Sequence, residues 1–409
     1  MRLHDILGIG ILAGALALAA ALASSAAAHA TPLKVLYSFC SETSCTDGER
    51  PDAAPVMDTA GNIYGTTQEG GANGRGSVFK LSAGKETVLY SFCSASGCSD
   101  GEFPEASLIV DAHGNLFGTT VYGGAHAEGT VFEIPAGGTE KVLYSFCAMA
   151  SCGDGEGPHS GLIMDAQGNL YGTTQLGGTT ASAGVVFKLA RSGKETVLYA
   201  FCKTSTCRDG AFPLAGLIMD KTGNLYGTTT QGGAHNGTNC SEGCGTVFQL
   251  TPKRRETVLY SFCALSKCKD GSTPGAALVM DANGNLYGTT EYGGSKTEGT
   301  VFELPPKGSE MVLYSFCLRA NCSDGRNPQS GLLMDASANL YGVTSGGGTP
   351  GVVFSLTPPG KETILHAFCA GCDDGNDPIG LTTDGKGKLY GTTYAGGTAD
   401  LGTIFELAE

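Results

Sequence analysis

The sequence predicts an all-β protein, a seven-bladed β-propeller with four antiparallel strands in each blade. Three observations lead to this prediction. A tetrapeptide recurs seven times, four strand-like runs lie in each repeat, and an unpaired strand-like run remains at the start of the array. Four antiparallel strands at a period of about 40 to 60 residues are typical of propeller blades.

The tetrapeptide is Tyr-Ser-Phe-Cys, with the variants Tyr-Ala-Phe-Cys and His-Ala-Phe-Cys. Successive copies lie about 50 to 60 residues apart, the length of one blade in many propeller repeats. The copies begin at Tyr37, Tyr90, Tyr144, Tyr199, Tyr260, Tyr314 and His366. They fill residues 31–409 and leave no room for a second domain there.

Each repeat contains four short runs that are rich in β-branched and aromatic residues and are separated by Gly, Asn and Asp. In the fourth repeat these runs are residues 216–219, 225–228, 246–250 and 257–262. No part of residues 31–409 has a sustained helical period, which argues against α/β folds and helical solenoids.

The innermost strands of a propeller crowd around one axis, so they are expected to carry small residues. Four positions before the Asp that ends each inner run stand Ala54, Ser107, Gly161, Gly216, Ala277, Gly331 and Gly380. A β-solenoid is the alternative fold, but it needs a shorter period and distinct capping repeats. The Asp residues themselves are predicted to cap the tight turns that follow, rather than to form a ring of metal ligands. They are Asp58, Asp111, Asp165, Asp220, Asp281, Asp335 and Asp384.

The two ends of the array are predicted to complete one blade together. Residues 35–39 have the pattern of an outer strand, but the other three strands of that blade do not precede them in the repeat array. The last repeat ends at its third strand, residues 403–407. Pairing these two segments closes the ring and removes an exposed sheet edge.

The repeat can be written V-L-Y-S-F…D-G…P…G-L-I-x-D-x-x-G-N-L-Y-G-T-T…G-G…G-T-V-F-x-L. This string resembles the bacterial GloVer tandem repeat, found in choice-of-anchor proteins, and the resemblance covers all seven repeats. It implies a secreted or cell-surface bacterial protein and no established catalytic residues. The sequence departs from such repeats by a cysteine pair in each crossover, the segment that joins the outer strand of one blade to the inner strand of the next.

Residues 1–30 are predicted to be a signal peptide. Arg2 precedes an apolar run over residues 6–23, and Ala28-His29-Ala30 matches a signal-peptidase site. The alternative is an uncleaved N-terminal anchor, because the run approaches the length of a membrane span. We expect a monomer that is secreted, periplasmic or at the cell surface and does not insert into a membrane after cleavage.

The chain is acidic, with 25 Lys and Arg against 39 Asp and Glu and a net charge of −14. This charge argues against nucleic acid and anionic lipid as partners. Acidity of this kind also keeps exported proteins soluble, so it does not by itself indicate a ligand.

Sixteen cysteines at regular spacing predict eight local disulfides and an oxidising compartment. Zinc would require four convergent ligands, which two cysteines per blade do not supply. The last pair resembles a redox Cys-x-x-Cys motif, but no helix follows to lower a thiol pKa, so a shortened disulfide is favoured. The predicted pairs are Cys40–Cys45, Cys93–Cys98, Cys147–Cys152, Cys202–Cys207, Cys240–Cys244, Cys263–Cys268, Cys317–Cys322 and Cys369–Cys372.

The candidate site lies where the repeats differ. In the first three crossovers the residues after the proline are Asp52, Glu105 and His159, and the residues three positions earlier are Glu49, Glu102 and Glu156. Neighbouring blades should bring them together as one acidic sector near the mouth of the central channel. Asp52, Glu105 and His159 are candidate ligands for Ca²⁺, Mn²⁺ or Zn²⁺, and no other cofactor is expected. The alternative is a solvated polar rim.

A second difference is a long loop in the fourth repeat, residues 234–245. It contains His235 and the extra pair Cys240 and Cys244. The loop is either a binding lip on the same face as the acidic sector or an inert insertion.

Three functions remain open from the sequence. The leading interpretation is a non-catalytic binding or scaffold module for an extracellular glycan or protein. The second is a propeller hydrolase or lyase that uses a divalent metal at the acidic sector. The third is a structural element of a surface layer. The sequence contains no Gly-x-Ser-x-Gly motif and no metal-protease spacing of His residues, so no catalytic residue is assigned.

Overall fold

The computed structural model of the protein describes residues 33–237, 240–347, 350–357 and 360–408. The predicted signal peptide, residues 1–30, lies outside these residues. The described residues form seven antiparallel sheets of four strands each, which confirms the seven-bladed propeller. Within the same residues, no helix combines the length and the apolar character needed to cross a membrane.

The strands follow the repeat. Strand β1 is Lys34–Ser38. Blade 1 contains β2 Val56–Met57, β3 Ile63–Thr67, β4 Ser77–Ser82 and β5 Lys85–Ser91; blade 2 contains β6 Ile109–Val110, β7 Leu116–Thr120, β8 Thr130–Ile134 and β9 Lys141–Ser145. Blade 3 contains β10 Ile163–Met164, β11 Leu170–Thr174, β12 Val185–Leu189 and β13 Glu195–Ala200; blade 4 contains β14 Ile218–Met219, β15 Leu225–Thr229, β16 Thr246–Leu250 and β17 Glu256–Ser261. Blade 5 contains β18 Val279–Met280, β19 Leu286–Thr290, β20 Thr300–Leu304 and β21 Met311–Ser315; blade 6 contains β22 Leu333–Met334, β23 Leu340–Thr344, β24 Val352–Thr357 and β25 Lys361–Ala367. Blade 7 contains β26 Asn376–Thr383, β27 Lys388–Ala395 and β28 Thr403–Ala408.

Strand β1 supplies the fourth strand of blade 7, as predicted. It pairs antiparallel with β28, with Lys34 opposite Glu406 and Ser38 opposite Thr403. The order β1-β28-β27-β26 therefore joins the two ends of the repeat array in one sheet, and the ring closes without an open edge at this blade.

The hydrophobic core lies between neighbouring blades. The Phe of each recurring tetrapeptide is fully buried and meets a Phe on the third strand of the next blade, as Phe92 meets Phe132 with ring centroids 5.0 Å apart. The glycine in the second strand makes room for that ring. A Cβ atom on Gly118 would lie 2.6 Å from Cζ of Phe132, so a larger residue could not pack there.

The small residues predicted for the inner strands are required by the crowding around the axis. A Cβ atom on Gly216 would lie 3.3 Å from the carbonyl oxygen of Gly161, its counterpart in the preceding blade. A Cβ atom on Gly380 would lie 2.6 Å from Cβ of Ala54. In most blades these residues lie just before the two-residue inner strands, so the segments that lead into neighbouring inner strands approach each other closely around the axis.

The Asp residues that end the inner strands cap turns. In blade 1, Asp58 Oδ1 accepts hydrogen bonds from the backbone N–H groups of Ala60 and Asn62, both 2.9 Å long. Its Oδ2 accepts from Nδ2 of Asn62 at 2.7 Å and from the Tyr64 hydroxyl at 3.1 Å. These hydrogen bonds hold the pKa of the Asp58 carboxyl below its usual value, although burial opposes them.

All eight predicted disulfides form, and the described residues contain no free cysteine. Disulfides in this number indicate an oxidising environment. The prediction that four cysteines do not converge is wrong at one place. The Sγ atoms of Cys240, Cys244, Cys263 and Cys268 lie within 4.8 Å of one another, because the long loop of blade 4 lays its own disulfide against that of the next crossover.

Candidate functional site

The mouth of the central channel is built from one position of each repeat. The seven residues that follow the crossover prolines line one cavity of about 280 Å³. Small residues that lie two positions before the inner strands, such as Ala54, Ser107 and Gly161, also line it. The residues at the mouth are Asp52, Glu105, His159, Leu214, Gly275, Gln329 and Ile379.

In each crossover, the backbone conformation sets the position of the residue that lines the channel mouth. The residue before the proline adopts a left-handed conformation, with φ between +50° and +61° over the seven crossovers. In the second crossover this residue is Phe103, whose N–H donates to the carbonyl of Arg75 at 3.0 Å and whose carbonyl accepts from the N–H of Val121 at 3.1 Å. Glu105 follows one proline later and is thereby directed towards the axis.

A chain of hydrogen bonds links the mouth residues of blades 2 and 3 to blades 1 and 7. Nδ1 of His159 lies 2.8 Å from Oε2 of Glu105, with 25% and 18% of the two side chains exposed. Nε2 of Gln68 donates to Oε1 of Glu105 at 2.7 Å. The hydroxyl of Tyr394 donates to Oε1 of Gln68 at 3.1 Å. Both oxygens of Glu105 are therefore held in place.

The two carboxyl groups at the mouth titrate differently. Burial raises the pKa of Asp52 to about 7, the charge of Glu105 adds to the increase, and His159 partly offsets it. Burial also acts to raise the pKa of Glu105, but the hydrogen bonds from His159 and Gln68 outweigh it and leave that pKa below its usual value. Near neutral pH, the site thus combines an ionised carboxylate with a carboxyl group that readily holds a proton.

The opposite side of the mouth is neutral and opens into a second cavity of about 600 Å³. The two cavities share Leu214, Gly275 and Gln329 as lining residues. The second cavity is also lined by Ser241 and Glu242 of the long loop, and by aromatic and polar side chains that include Phe212, Tyr292, Gln175 and Gln231. The long loop and the acidic sector therefore lie on the same face.

Three of the predicted site residues lie outside the wall of the channel mouth. Glu49, Glu102 and Glu156 each place a carboxylate oxygen within 4.8 Å of both sulfurs of the neighbouring disulfide. Their backbones pair with residues beyond the second strand of the same blade, as Glu49 pairs with Glu69, and this pairing sets their side chains apart from the mouth. Glu102 faces Nε of Arg75 at 3.5 Å, and Glu156 accepts a hydrogen bond from the Ser182 hydroxyl at 2.8 Å.

His235 is exposed on the long loop, and its carbonyl accepts the N–H of Cys244 at 3.1 Å. The cavity beside the loop is lined by Ser241 and Glu242 rather than by His235. Sequence reasoning missed these two residues.

Gln68 and Tyr394 were also missed, although the sequence contains a signal for them. Both occupy the position after the Gly-Thr-Thr segment of the second strand, which differs from repeat to repeat. The residues at this position are Gln68, Val121, Gln175, Thr230, Glu291, Ser345 and Tyr394.

The mouth does not present a preassembled set of metal ligands. Within the described ranges, every group of three or more candidate ligand atoms that lie within 4.8 Å of one another contains a cysteine pair. Asp52, Glu105 and His159 do not form such a group, and Nδ1 of His159 already contacts Glu105. The metal assignment of these three residues stays a prediction. As arranged, the carboxyl groups of Asp52 and Glu105 can accept hydrogen bonds from a ligand in the cavity.

Solved structures are similar to this chain at low sequence identity, and one of them has a TM-score above 0.5. A puromycin-hydrolysing peptidase of Mycobacterium tuberculosis is 13% identical with a TM-score of 0.53, and the match covers 91% of this chain and 54% of the peptidase. This chain thus spans about half the length of that protein. A gluconolactonase of Xanthomonas campestris is 14% identical with a TM-score of 0.43, and the match covers 73% of this chain and 84% of that one.

Sequence comparison assigns the repeat. No curated protein matches the sequence at a significant level. The family model of the Gloeobacter/Verrucomicrobia repeat matches residues 24–240 and 235–409, so it covers all seven blades. The chain therefore belongs to the Gloeobacter/Verrucomicrobia repeat family.

Proposed function

We propose that the protein is an exported, non-catalytic binding module whose ligand site is the channel mouth on the crossover face. One observation carries the proposal. Seven equivalent positions line a single cavity, yet the ionisable residues Asp52, Glu105 and His159 all belong to three consecutive blades. A ring of equivalent blades can fold without this asymmetry. Recognition of an asymmetric ligand, in contrast, requires different side chains on different blades.

A glycan fits the chemistry of this surface better than a protein segment does. The mouth has room for one sugar ring or one side chain, and the adjoining cavity of about 600 Å³ extends it to the size usual for ligand pockets, about 300 to 1,000 Å³. Its amide and carboxyl groups both donate and accept hydrogen bonds, as hydroxyl groups require. Tyr292 and Phe212 add aromatic surface. We place the protein outside the cytoplasm as a monomer.

A glycan array on the mature protein tests the proposal, followed by titration of any bound glycan against variants. Glu105→Gln should weaken binding about tenfold or more, because hydrogen bonds to charged groups contribute about 1.5 to 3 kcal/mol. Glu102→Gln is the matched control, since this carboxylate lies beside a disulfide and outside the mouth. The proposal is wrong if no glycan binds, or if the two variants weaken binding equally.

A second function is favoured by the titration of Asp52. A carboxyl group with a pKa of about 7, next to the ionised Glu105, is suited to general acid catalysis in a hydrolase or lyase. Asp52→Asn should then abolish turnover of a chromogenic glycoside and leave its binding unchanged.

The same residues can be tested for metal binding. If they bind a divalent metal, addition of Ca²⁺, Mn²⁺ or Zn²⁺ should raise the melting temperature of the parent protein, and the variant with Ala at Asp52, Glu105 and His159 should not show this increase. Absence of turnover rejects the catalytic version, and absence of any rise in the parent rejects the metal.

A further inference from the structure

The crossover from blade 6 to blade 7 differs from the other six. Its disulfide joins Cys369 and Cys372, three positions apart, whereas each other crossover disulfide spans five positions, as Cys93–Cys98 does. Cys372 is exposed, and the cysteines of the other crossover disulfides are buried or half-buried. Among the crossover cysteines of the described residues, Cys372 is therefore the one most exposed to solvent.

The polar surroundings of this disulfide differ as well. In the other crossovers a tyrosine hydroxyl donates to the Asp that precedes Gly, as Tyr90 donates to Oδ2 of Asp100 at 2.7 Å. In the last crossover a histidine replaces the tyrosine, and Nε2 of His366 lies 2.9 Å from Oδ2 of Asp374. The two side chains are 16% and 21% exposed.

The shortened loop also changes what the Asp accepts. Asp100 accepts the backbone N–H groups of Ser94 and Ala95, at 2.8 and 3.1 Å. Asp374 instead has its Oδ1 3.7 Å from Sγ of Cys369, within reach of an S–H donor. A disulfide sulfur has no hydrogen to donate, but a thiol has one. The reduced state therefore gains a hydrogen bond that the oxidised state lacks.

We propose that Cys369–Cys372 is a redox-active disulfide that accepts electrons from a dithiol, such as the Cys-x-x-Cys pair of an extracytoplasmic oxidoreductase, while the other seven disulfides are structural. The proposal stands on three local departures that occur together: the spacing, the exposed Cys372, and the His366–Asp374 pair beside Cys369.

The exchange proceeds in two displacements. A thiolate of the dithiol attacks Sγ of Cys372, the Cys369–Cys372 bond breaks, and a mixed disulfide forms. Cys369 leaves as a thiolate, takes a proton from water and donates it in a hydrogen bond to Asp374. The second thiol of the dithiol, as a thiolate, then attacks the first sulfur of the dithiol, which is bonded to Cys372 in the mixed disulfide. Cys372 is released as a thiolate and is protonated by water. Two electrons and two protons pass to this protein, and the dithiol becomes a disulfide.

Differential alkylation of the folded mature protein in graded dithiothreitol tests the proposal, with mass spectrometry measuring the thiol fraction at each cysteine. Cys369 and Cys372 should be half-reduced at a dithiothreitol concentration at least about tenfold lower than Cys93 and Cys98, the matched pair, while the circular dichroism spectrum stays unchanged. The proposal is overturned if the last pair opens together with the others, or only when the protein unfolds.

Two variants isolate the role of the polar pair. Asp374→Asn should require several-fold more dithiothreitol for half-reduction, because the thiol of Cys369 loses a charged acceptor. His366→Tyr restores the residue of the other crossovers and should shift the reaction in the same direction without unfolding the protein. Unchanged half-reduction in both variants would reject the assignment of His366 and Asp374, and with it the proposal.

Discussion

Blade 7 and the six other blades are built from the same repeat under different constraints. Blades 1 to 6 are each continuous in sequence and start with an inner strand of two residues, such as β6 Ile109–Val110. Blade 7 joins the first and the last strand of the repeat array, and its inner strand β26 has eight residues. Its ladder with β27 extends from Asn376 opposite Ala395 to Thr383 opposite Leu389.

The difference shows how a ring compensates for a break in its chain. Each blade of a repeat protein contacts only its neighbours, so one weak blade lowers the stability of the whole ring. In the other blades a covalent connection joins the third strand to the fourth. Blade 7 lacks this connection between β28 and β1, and the β1–β28 pairing and the longer β26–β27 ladder compensate for it. The same blade also carries the altered crossover disulfide.

The largest effect is expected when the closing strand is removed. Deletion of residues 31–39 exposes the edge of β28 and removes Phe39, which is fully buried and contacts Phe79 at 5.1 Å between ring centroids. Loss of a buried Phe side chain alone costs about 3 to 5 kcal/mol. The mature protein should then melt far below the parent or aggregate through the open edge. Scanning calorimetry and size-exclusion chromatography measure both outcomes.

The comparison is sharpened by two point variants. Phe39→Ala and Phe92→Ala remove equivalent rings, the first at the non-covalent closure and the second inside the continuous chain. Phe39→Ala should lower the melting temperature more, because β1 has no preceding strand to hold it. Equal melting temperatures for both variants, or a deletion that melts like the parent, would contradict this account of closure.

The next largest effect is expected from pH. Six Glu residues at the start of the outer strands, or directly before them, lie in the interfaces between blades, each with one buried oxygen that lacks a partner among the described residues. Burial, together with a nearby Asp, raises the pKa of Glu310 to about 8 and of the others to about 7, and Arg319 partly offsets the increase at Glu362. The six residues are Glu86, Glu140, Glu195, Glu256, Glu310 and Glu362. Blade 7 has Leu33 at this position.

The sign of the pH dependence follows from these shifts. Between about pH 4.5 and 7 the folded protein binds more protons than the unfolded chain, so stability should fall as pH rises through this window. Below it, turn residues such as Asp58, whose pKa is lowered in the folded state, should lose their contribution. The melting temperature should therefore be highest near pH 5.

Glu310→Gln tests the source of the effect. It should raise the melting temperature at pH 8, where the native carboxyl loses its proton, and leave it nearly unchanged at pH 5. Glu303→Gln, on strand β20 of the same blade, is the control. A parent protein that is most stable at pH 8 would contradict the prediction.

The sequence was sufficient for features that depend on a short segment or on the repeat period. The blades, the β1 closure, the disulfide pairs and the turns capped by residues such as Asp58 all belong to this class. Side-chain contacts between blades were not predictable. The repeat gives the position of a residue along its strand or crossover, but not the direction of its side chain. The hydrogen bond from Gln68 to Glu105 is of this kind.

The smallest effect is expected at the turns on the face opposite the crossovers. In blade 3, Asp165 accepts from the N–H groups of Gln167 and Asn169, from Nδ2 of Asn169 and from the Tyr171 hydroxyl. In blade 7, Asp384 accepts from two backbone N–H groups, and Lys388 replaces the asparagine. Asp165→Ala thus leaves more donors without a partner than Asp384→Ala does.

Each lost hydrogen bond of this kind costs about 0.5 to 1.5 kcal/mol when its donor can still reach water. Asp165→Ala should therefore reduce the free energy of unfolding by about 1 to 3 kcal/mol, and Asp384→Ala by about half as much or less. Urea unfolding of both variants, followed by circular dichroism, measures the difference. An equal loss in the two variants would show that the backbone hydrogen bonds alone fix these turns, because the side-chain donors are what distinguishes blade 3 from blade 7 at this position.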